Sequence, residues 1–280
     1  MTKKQSKVQI RTKINIRRNK SKKMIGGSGN NNIRSGSSGR NVVVVKMENG
    51  REGIIKKMNQ VELEYLQKLQ GDNVVKILQI TDEGFPIMEK LKHIDLYNDN
   101  IKMKLNNLMY GLKFKHNRIN INNRETLKQN VIMPSPKQFK YLLDLLNAIE
   151  RVNTMGYIWG DLKINNLGIS EIDDKLYIFD FGEIQKITNK NRFMDLLAYA
   201  KFLYNILINK QFFEPGREYS AIREPIDESG YKQLIDSLNT DDKKLKEELM
   251  KIFRIANTSI SQDDIKIIYK SFREYLQSKI

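Results

Sequence analysis

The chain has 280 residues, 40% of them hydrophobic and 29% charged, with a formal net charge of +16 and no cysteine. That is enough apolar material for one large cored domain or two modest ones. No run approaches the roughly 20 apolar residues of a spanning helix, and no apolar stretch follows the basic N-terminus as a secretory signal requires. Disulfides, thiolate metal sites and a cysteine nucleophile are excluded, and an intracellular protein is expected.

The charge is concentrated at the start. Residues 1 to 24 hold ten Lys or Arg and no acid, and the first acidic residue is Glu48. A block of this kind repels itself and attracts nucleic acid, acidic proteins or anionic lipid. It reads either as such a contact or as a solubilising tail, and the alternation in "VQIRTKINI" allows a strand within it. Residues 25 to 40, "IGGSGNNNIRSGSSGR", have the composition of a flexible linker.

"NVVVVKM", 41 to 47, is a β-branched strand signal. After a polar loop, "NQVELEYLQKLQG", 59 to 71, places Val61, Tyr65, Leu66 and Leu69 at helical spacing and ends on Gly71. "NVVKILQI", 73 to 80, and "FPIMEKL", 85 to 91, predict strands joined through the turn-prone "TDEG". Residues 92 to 134 are rich in Asn and Lys and read as an insertion, partly helical with long loops. At Ser135 a capping box with Gln138, and Pro136 at the first helical position, opens a helix whose stripe is Phe139, Leu142, Leu143, Leu146, Ile149 and Val152.

"YIWGDLKINNLGIS" comes next, then the strand "KLYIFDF", then "NRFMDLLAYAKFLYNIL", 191 to 207, apolar nearly all round and so a buried helix. One amphipathic helix is predicted near 241 to 256 and another after Ser261, which pairs with Asp264 in a second capping box. No internal repeat is present. Strands and one helix first, then mostly helices, predict an α+β chain with a small β-rich lobe at 25–91 and a larger helical lobe at 92–280.

The polar groups at 157–182 carry the chemistry. Asp161 and Asn166 lie five residues apart on a loop, because Gly160 and the Asn pair disfavour helix. Asp180 comes fourteen residues after Asn166, a distance that fits one turn and one strand and returns it near Asn166. An amide oxygen and a carboxylate form a hard-oxygen pair suited to Mg²⁺, which takes phosphate oxygens and waters as its other ligands. Asp161 is then placed to face a substrate hydroxyl as base or orienting group, with Lys163 beside it to neutralise a transferring phosphate. A lone loop Asp is usually a turn or cap residue. The joint pattern of Asp-x-Lys-x-x-Asn and a strand ending in Asp-Phe-Gly is the specific signal.

Across about residues 25 to 207 this pattern resembles the protein-kinase superfamily. "YIWGDLKINNL" is similar to the catalytic loop written HRDLKxxN, and the resemblance makes Asp161 the catalytic base, Lys163 the phosphate-contacting lysine and Asn166 a metal ligand. "DFG" at Asp180, Phe181 and Gly182 resembles the motif whose Asp holds Mg²⁺. The lysine two residues after Asp161 resembles serine/threonine kinases more than tyrosine kinases.

By the same resemblance "VVVVK" makes Lys46 the nucleotide lysine, with Lys56 or Lys57 next in line, and Glu62 its helix glutamate, with Glu64 the fallback. Gly26, Gly27 and Gly29 resemble a glycine-rich phosphate loop with Asn32 in place of its third glycine; the linker reading stays open beside it. "IMEKL" resembles the segment joining the lobes, with Met88 behind the adenine and main-chain groups of Glu89 and Leu91 facing it. "VVKMENG…VELEYLQ" is similar in wording to vaccinia-related and poxvirus-type kinases. That implies a viral protein of the host cytoplasm or virion.

Three features depart from the pattern. Trp159 and Gly160 replace His-Arg, which removes the arginine that grips a phosphorylated activation loop; Trp159 is expected to pack in the core under Phe181. Asp195, which matches the acid that hydrogen-bonds the catalytic-loop backbone, follows Asp180 by only fifteen residues, and no Ala-Pro-Glu lies between them. The segment is thus shortened as in minimal kinases, and no ordinary peptide platform fits. Gly168 stands where an apolar residue floors the adenine. The resemblance implies a Ser/Thr-type protein kinase using ATP and Mg²⁺ on a protein substrate. Phosphotransfer to a small molecule is the second reading. A non-catalytic module presenting its basic tail to nucleic acid or an acidic partner is the third.

Overall fold

A computed structural model describes residues 42–47, 49–94, 129–208, 228–255 and 260–280. The expected tail, the glycines at 26, 27 and 29, and most of the 92–134 insertion lie outside the described residues. The chain is α+β and divides into two compact units. One takes Met1–Met58 with Lys76–Lys90, and the other Asn59–Val75 with Leu91–Ile280.

The first unit is an antiparallel four-stranded sheet built from β1 (Val42–Lys46), β2 (Glu52–Lys56), β3 (Ile77–Ile80) and β4 (Pro86–Glu89), in the order β1-β2-β4-β3. β2, "EGIIK", is a central strand where a polar loop is predicted. It is short, and Gly53 breaks its apolar pattern, but that glycine is what lets β4 approach. A Cβ there would lie 2.6 Å from Ile87 and 3.3 Å from the Met88 carbonyl. The β1–β2 turn uses Gly50 at φ 80°, a conformation that glycine adopts without steric cost. β4 is buried along its whole length, and the Glu89 carboxylate lies 4.0 Å from Lys76 Nζ.

The second unit begins with α1 (Gln60–Leu69), whose N-cap Asn59 accepts from the Glu62 N–H at 2.7 Å. The helix ends two residues before Gly71, at Leu69, and the predicted 73–80 strand is regular only from Ile77. Residues 25–91 form one lobe on sequence grounds, yet α1 clusters with the second unit. The reason lies at its C-terminal end. Arg151 donates to the C-terminal carbonyls of Leu69 and Gln70 (3.3 and 2.5 Å), where a helix lacks internal partners. Lys68 donates to the Tyr157 hydroxyl at 2.7 Å, and Leu66 and Leu69 are buried.

α2 (Pro136–Thr154) opens with the predicted capping box in place. Its buried surface is wider than the predicted stripe. Tyr141, Asp144, Leu145 and Ala148 are also covered, whereas Leu143 is half-buried. α2 packs against the strands β7 (Tyr157–Ile158) and β9 (Leu176–Ile178) and the helices α3 (Met194–Leu207) and α6 (Gln262–Gln277). α3 is buried nearly all round, as its sequence predicts. Burying a leucine such as Leu196 or Leu203 contributes about 2 kcal/mol. α4 (Glu228–Ser237), which no clear sequence pattern announces, precedes α5 (Lys243–Ile255). α6 carries the second predicted capping box, Ser261 with Asp264. A three-stranded sheet joins β5 (Lys92–His93), β8 (Leu167–Ile169) and β9. β10 (Gln185–Lys186) pairs with β7, and β6 (Gln129–Asn130) pairs in parallel with β11 (Leu238–Asn239).

Between α5 and α6, fully buried Glu248 accepts from Lys251 (2.8 Å), Lys244 (2.9 Å) and Ser271 (2.9 Å). Burial alone pushes this carboxyl up, but Lys251, Lys244 and Ser271 together outweigh it and hold it below the ordinary 4.5. Its stabilisation is therefore fully present above pH 4.5 and is lost as pH falls through the lowered folded value. Glu248→Gln is expected to cost about 2–3 kcal/mol near pH 7. In urea denaturation the gap to the parent should close under acid; a gap that stays constant would show that charge is not its source.

Candidate active site

The loop after β7 is built on one buried acid. Asp195, in the first turn of α3, is fully buried. Its Oδ2 accepts from the Trp159 N–H at 2.7 Å and from Asn153 Nδ2 at 3.0 Å, and its Oδ1 accepts from the Gly160 N–H at 3.0 Å. A carboxylate removed from water needs such donors to remain charged. Asn153 in turn accepts from the Tyr269 hydroxyl at 2.6 Å, which carries the network to α6. Burial first, and the charge of Asp195 second, push the Tyr269 hydroxyl well above its usual range, so it stays a neutral donor. The sequence does not single out Asn153 or Tyr269. Each sits at an ordinary helical position, and only tertiary packing reveals the chain of contacts.

Gly160 turns the backbone at φ 82°, and Leu162 is buried beneath the loop. These two features hold Asp161 with its side chain 13% exposed. Its Oδ2 accepts from Lys163 Nζ at 2.6 Å and from Asn166 Nδ2 at 2.7 Å, and its main-chain carbonyl also accepts from Asn166 Nδ2 at 3.0 Å. Asn166 closes the 3₁₀ turn Ile164–Asn166 and is buried. With its amide nitrogen committed to Asp161, its Oδ1 is the atom able to face a cation.

β8 and β9 form a hairpin that brings the chain back. The Phe179 N–H donates to the Asn166 carbonyl at 3.1 Å, so Asp180 comes directly after a residue bonded to Asn166. Asp180 has φ 66°, unusual for a residue with a side chain, and its carbonyl accepts from the Trp159 indole N–H at 2.9 Å. Phe181 is buried and Gly182 is exposed. The predicted residues Asp161, Lys163, Asn166, Asp180, Trp159, Phe181, Gly182 and Asp195 thus gather in one part of the second unit. Among the described residues no three His, Cys, Asp or Glu cluster as a metal site. An Asn and an Asp fit a Mg²⁺ ion whose other ligands are waters and phosphates.

The segment from Asp180 to Asp195 is tied down throughout. β10 pairs with β7, the Ile187 N–H donates to the Gly156 carbonyl at 2.8 Å, and Asn191 closes a turn on the Thr188 N–H and the Lys186 carbonyl. Gly168 is explained by Leu91, the residue just before β5. A Cβ there would lie 2.5 Å from the Leu91 Cβ and 3.2 Å from the Lys92 carbonyl, so Leu91 fills the space of the missing side chain.

Of the two helix glutamates in α1, Glu62 is buried and Glu64 is exposed. Lys46, Met88 and Glu89 belong to the first unit. Lys46 is exposed at the end of β1, in register with Glu52. Met88 is buried between Ile54 and Ile77 in the sheet, and the Glu89 N–H donates to the Lys76 carbonyl at 2.9 Å. No helix among the described residues is long and apolar enough to cross a membrane. No protein-family model matches the chain, and no curated protein matches it.

Proposed function

We propose that the protein is an ATP-dependent phosphotransferase with a kinase-like fold, of the Ser/Thr protein-kinase type. The observation that carries this reading is the Asp161 carboxylate, held on one oxygen by Lys163 and Asn166, while the Asn166 carbonyl bonds the residue preceding Asp180. Such an arrangement costs conformational freedom and a bent backbone, which a merely structural loop has no need of.

In this reading Asn166 Oδ1 and the Asp180 carboxylate would hold Mg²⁺, and Mg²⁺ with ATP would supply the transferable phosphoryl group and screen its charge. Asp161 takes the hydroxyl proton on its second oxygen as that hydroxyl bonds to phosphorus and the bond to the departing diphosphate breaks. Lys163 stays close to the same carboxylate, where its charge offsets the transferring group. By the resemblance, Lys46 would contact the inner phosphates and buried Glu62 would be the helix glutamate. By the same resemblance Met88, Glu89 and Leu91 would serve the base, and Gly26, Gly27 and Gly29 would serve the phosphates. The 1–24 segment would hold an acidic partner or nucleic acid. A short, tied-down segment after Asp180 also suits a small acceptor, so the acceptor class is decided by experiment.

The test supplies Mg²⁺ and γ-labelled ATP to a lysate and tracks label in separated protein and metabolite pools. Label in protein supports the kinase reading, and label in metabolites alone moves the acceptor to a small molecule. Asp161→Ala and Lys46→Met are each expected to reduce incorporation at least 100-fold. Equal incorporation by the parent and both variants would overturn the phosphotransferase reading.

A further inference from the structure

The segment from Phe181 to Met194 holds three cations, Lys186, Lys190 and Arg192, against one acid, Glu183. Elsewhere in the second unit lysines are drawn to carboxylates, as Lys137 and Lys140 are to Asp174 and Lys244 and Lys251 to Glu248. None of the three cations of this segment forms an ion pair among the described residues. Lys186 and Lys190 are exposed, and Arg192 is half-buried. Like charges without counter-charges raise a positive potential that draws an anionic partner.

The fold spreads these cations along one path. Lys186 lies on β10 opposite Tyr157, whose hydroxyl accepts from a fourth cation, Lys68, at 2.7 Å. Beyond Lys186 a turn reverses the chain. The Thr188 N–H donates to Asn191 Oδ1 at 2.6 Å, and the Arg192 N–H donates to the Thr188 carbonyl at 3.2 Å. Arg192 then stands three residues before Asp195, whose carboxylate accepts from the N–H of Gly160, the neighbour of Asp161. Three residues span at most about 11 Å, so Arg192 borders the loop that carries the candidate base. Its Nη2 donates to the Asn189 side-chain oxygen, while its Nε is closed to solvent and has no hydrogen-bond partner among the described residues. A guanidinium fixed at one corner with a donor unspent is suited to a planar anion, because turning toward a carboxylate gives that donor the partner it lacks.

We propose that Arg192, backed by Lys190 and Lys186, selects a protein acceptor whose accepting Ser or Thr is flanked by carboxylates. This rests on the reading of Asp161 as the base of a protein phosphotransferase, and it names the acceptor class within that reading. Lys163 is engaged with Asp161 at 2.6 Å and serves the transferring group, so the flank of the acceptor falls to the other cations. An acidic flank meets opposite charge there, and a basic flank meets like charge and is rejected.

The test is a peptide library with one fixed Ser or Thr and mixed flanking residues, phosphorylated by the full chain with Mg²⁺ and ATP. The parent is expected to enrich Asp and Glu over Asn and Gln about 10-fold at one or more flanking positions, with Lys and Arg depleted. The enrichment should shrink as salt rises. Arg192→Gln brings the acid-to-amide ratio toward one, and Arg192→Lys keeps part of it. Arg192→Glu turns the preference from acidic to basic flanks, which a merely structural arginine would not do. The basic 1–24 segment is the same in every variant, so a changed ratio belongs to Arg192. A parent indifferent to flanking charge, or a ratio that Arg192→Gln leaves unchanged, overturns the inference and leaves the phosphotransferase reading standing. A library that stays unlabelled also overturns it. Label in lysate protein then keeps the protein-kinase reading, and no label there ends that reading as well.

Discussion

Asp180→Ala is expected to lower phosphate incorporation about 10³-fold while leaving the fold intact. The magnitude is that of removing one preorganised electrostatic contact from a reacting centre. The folded state should tolerate the change because alanine keeps the carbonyl that receives the Trp159 indole, and buried Phe181 supplies the apolar anchor. Alanine is also strained at a φ of 66°, so melting should fall slightly, by no more than about 1 kcal/mol beyond the parent. Raising Mg²⁺ should recover part of the activity if the lost group is a cation ligand. A variant as active as the parent at limiting Mg²⁺ would remove Asp180 from the mechanism.

Asp195→Ala should be the most damaging single change to stability, at about 3–5 kcal/mol. Removing the carboxylate strands the Trp159 and Gly160 N–H groups and the Asn153 amide in a region closed to water. Each unsatisfied buried donor costs about 1–3 kcal/mol, and the costs do not simply add. Asp195→Asn is a gentler probe. It keeps the volume and one acceptor but turns a donor toward another donor, so an intermediate loss is expected. Urea unfolding measures both, and for a chain of two units each probe should be fitted separately. A loss under about 1 kcal/mol for the alanine variant would mean that the loop is held by other contacts. Tyr269→Phe, which removes the far end of the network, should cost about 1 kcal/mol and displace the loop less.

The local elements were largely legible in the chain itself because their causes are local. Ser135 and Ser261, each three residues before a polar partner, announce capped helix starts, and both boxes are present. The apolar run of 191–207 announces a helix buried on every side, which α3 is. The spacing of Asn166 and Asp180 implies one turn and one strand between them; the chain does return to Asn166, but through a hairpin of two strands, β8 and β9. Side-chain period, capping chemistry and chain reach act over a few residues, so sequence by itself determines them.

What the tertiary structure alone decided is everything that depends on distant partners. β2 is a central strand although its own five residues do not mark it as one, because β1 and β4 satisfy its backbone on both sides. α1 clusters with the helical unit because Arg151 and Tyr157, more than 80 residues away, bind its C-terminal turn. Gly168 is small because Leu91 occupies its space. The donors around Asp195 come from separate segments, and no pattern along the chain could pair Tyr269 with Asn153. Hydrogen bonds and steric exclusion depend on distance in space, so contacts between residues far apart in the chain exist only once the chain has folded.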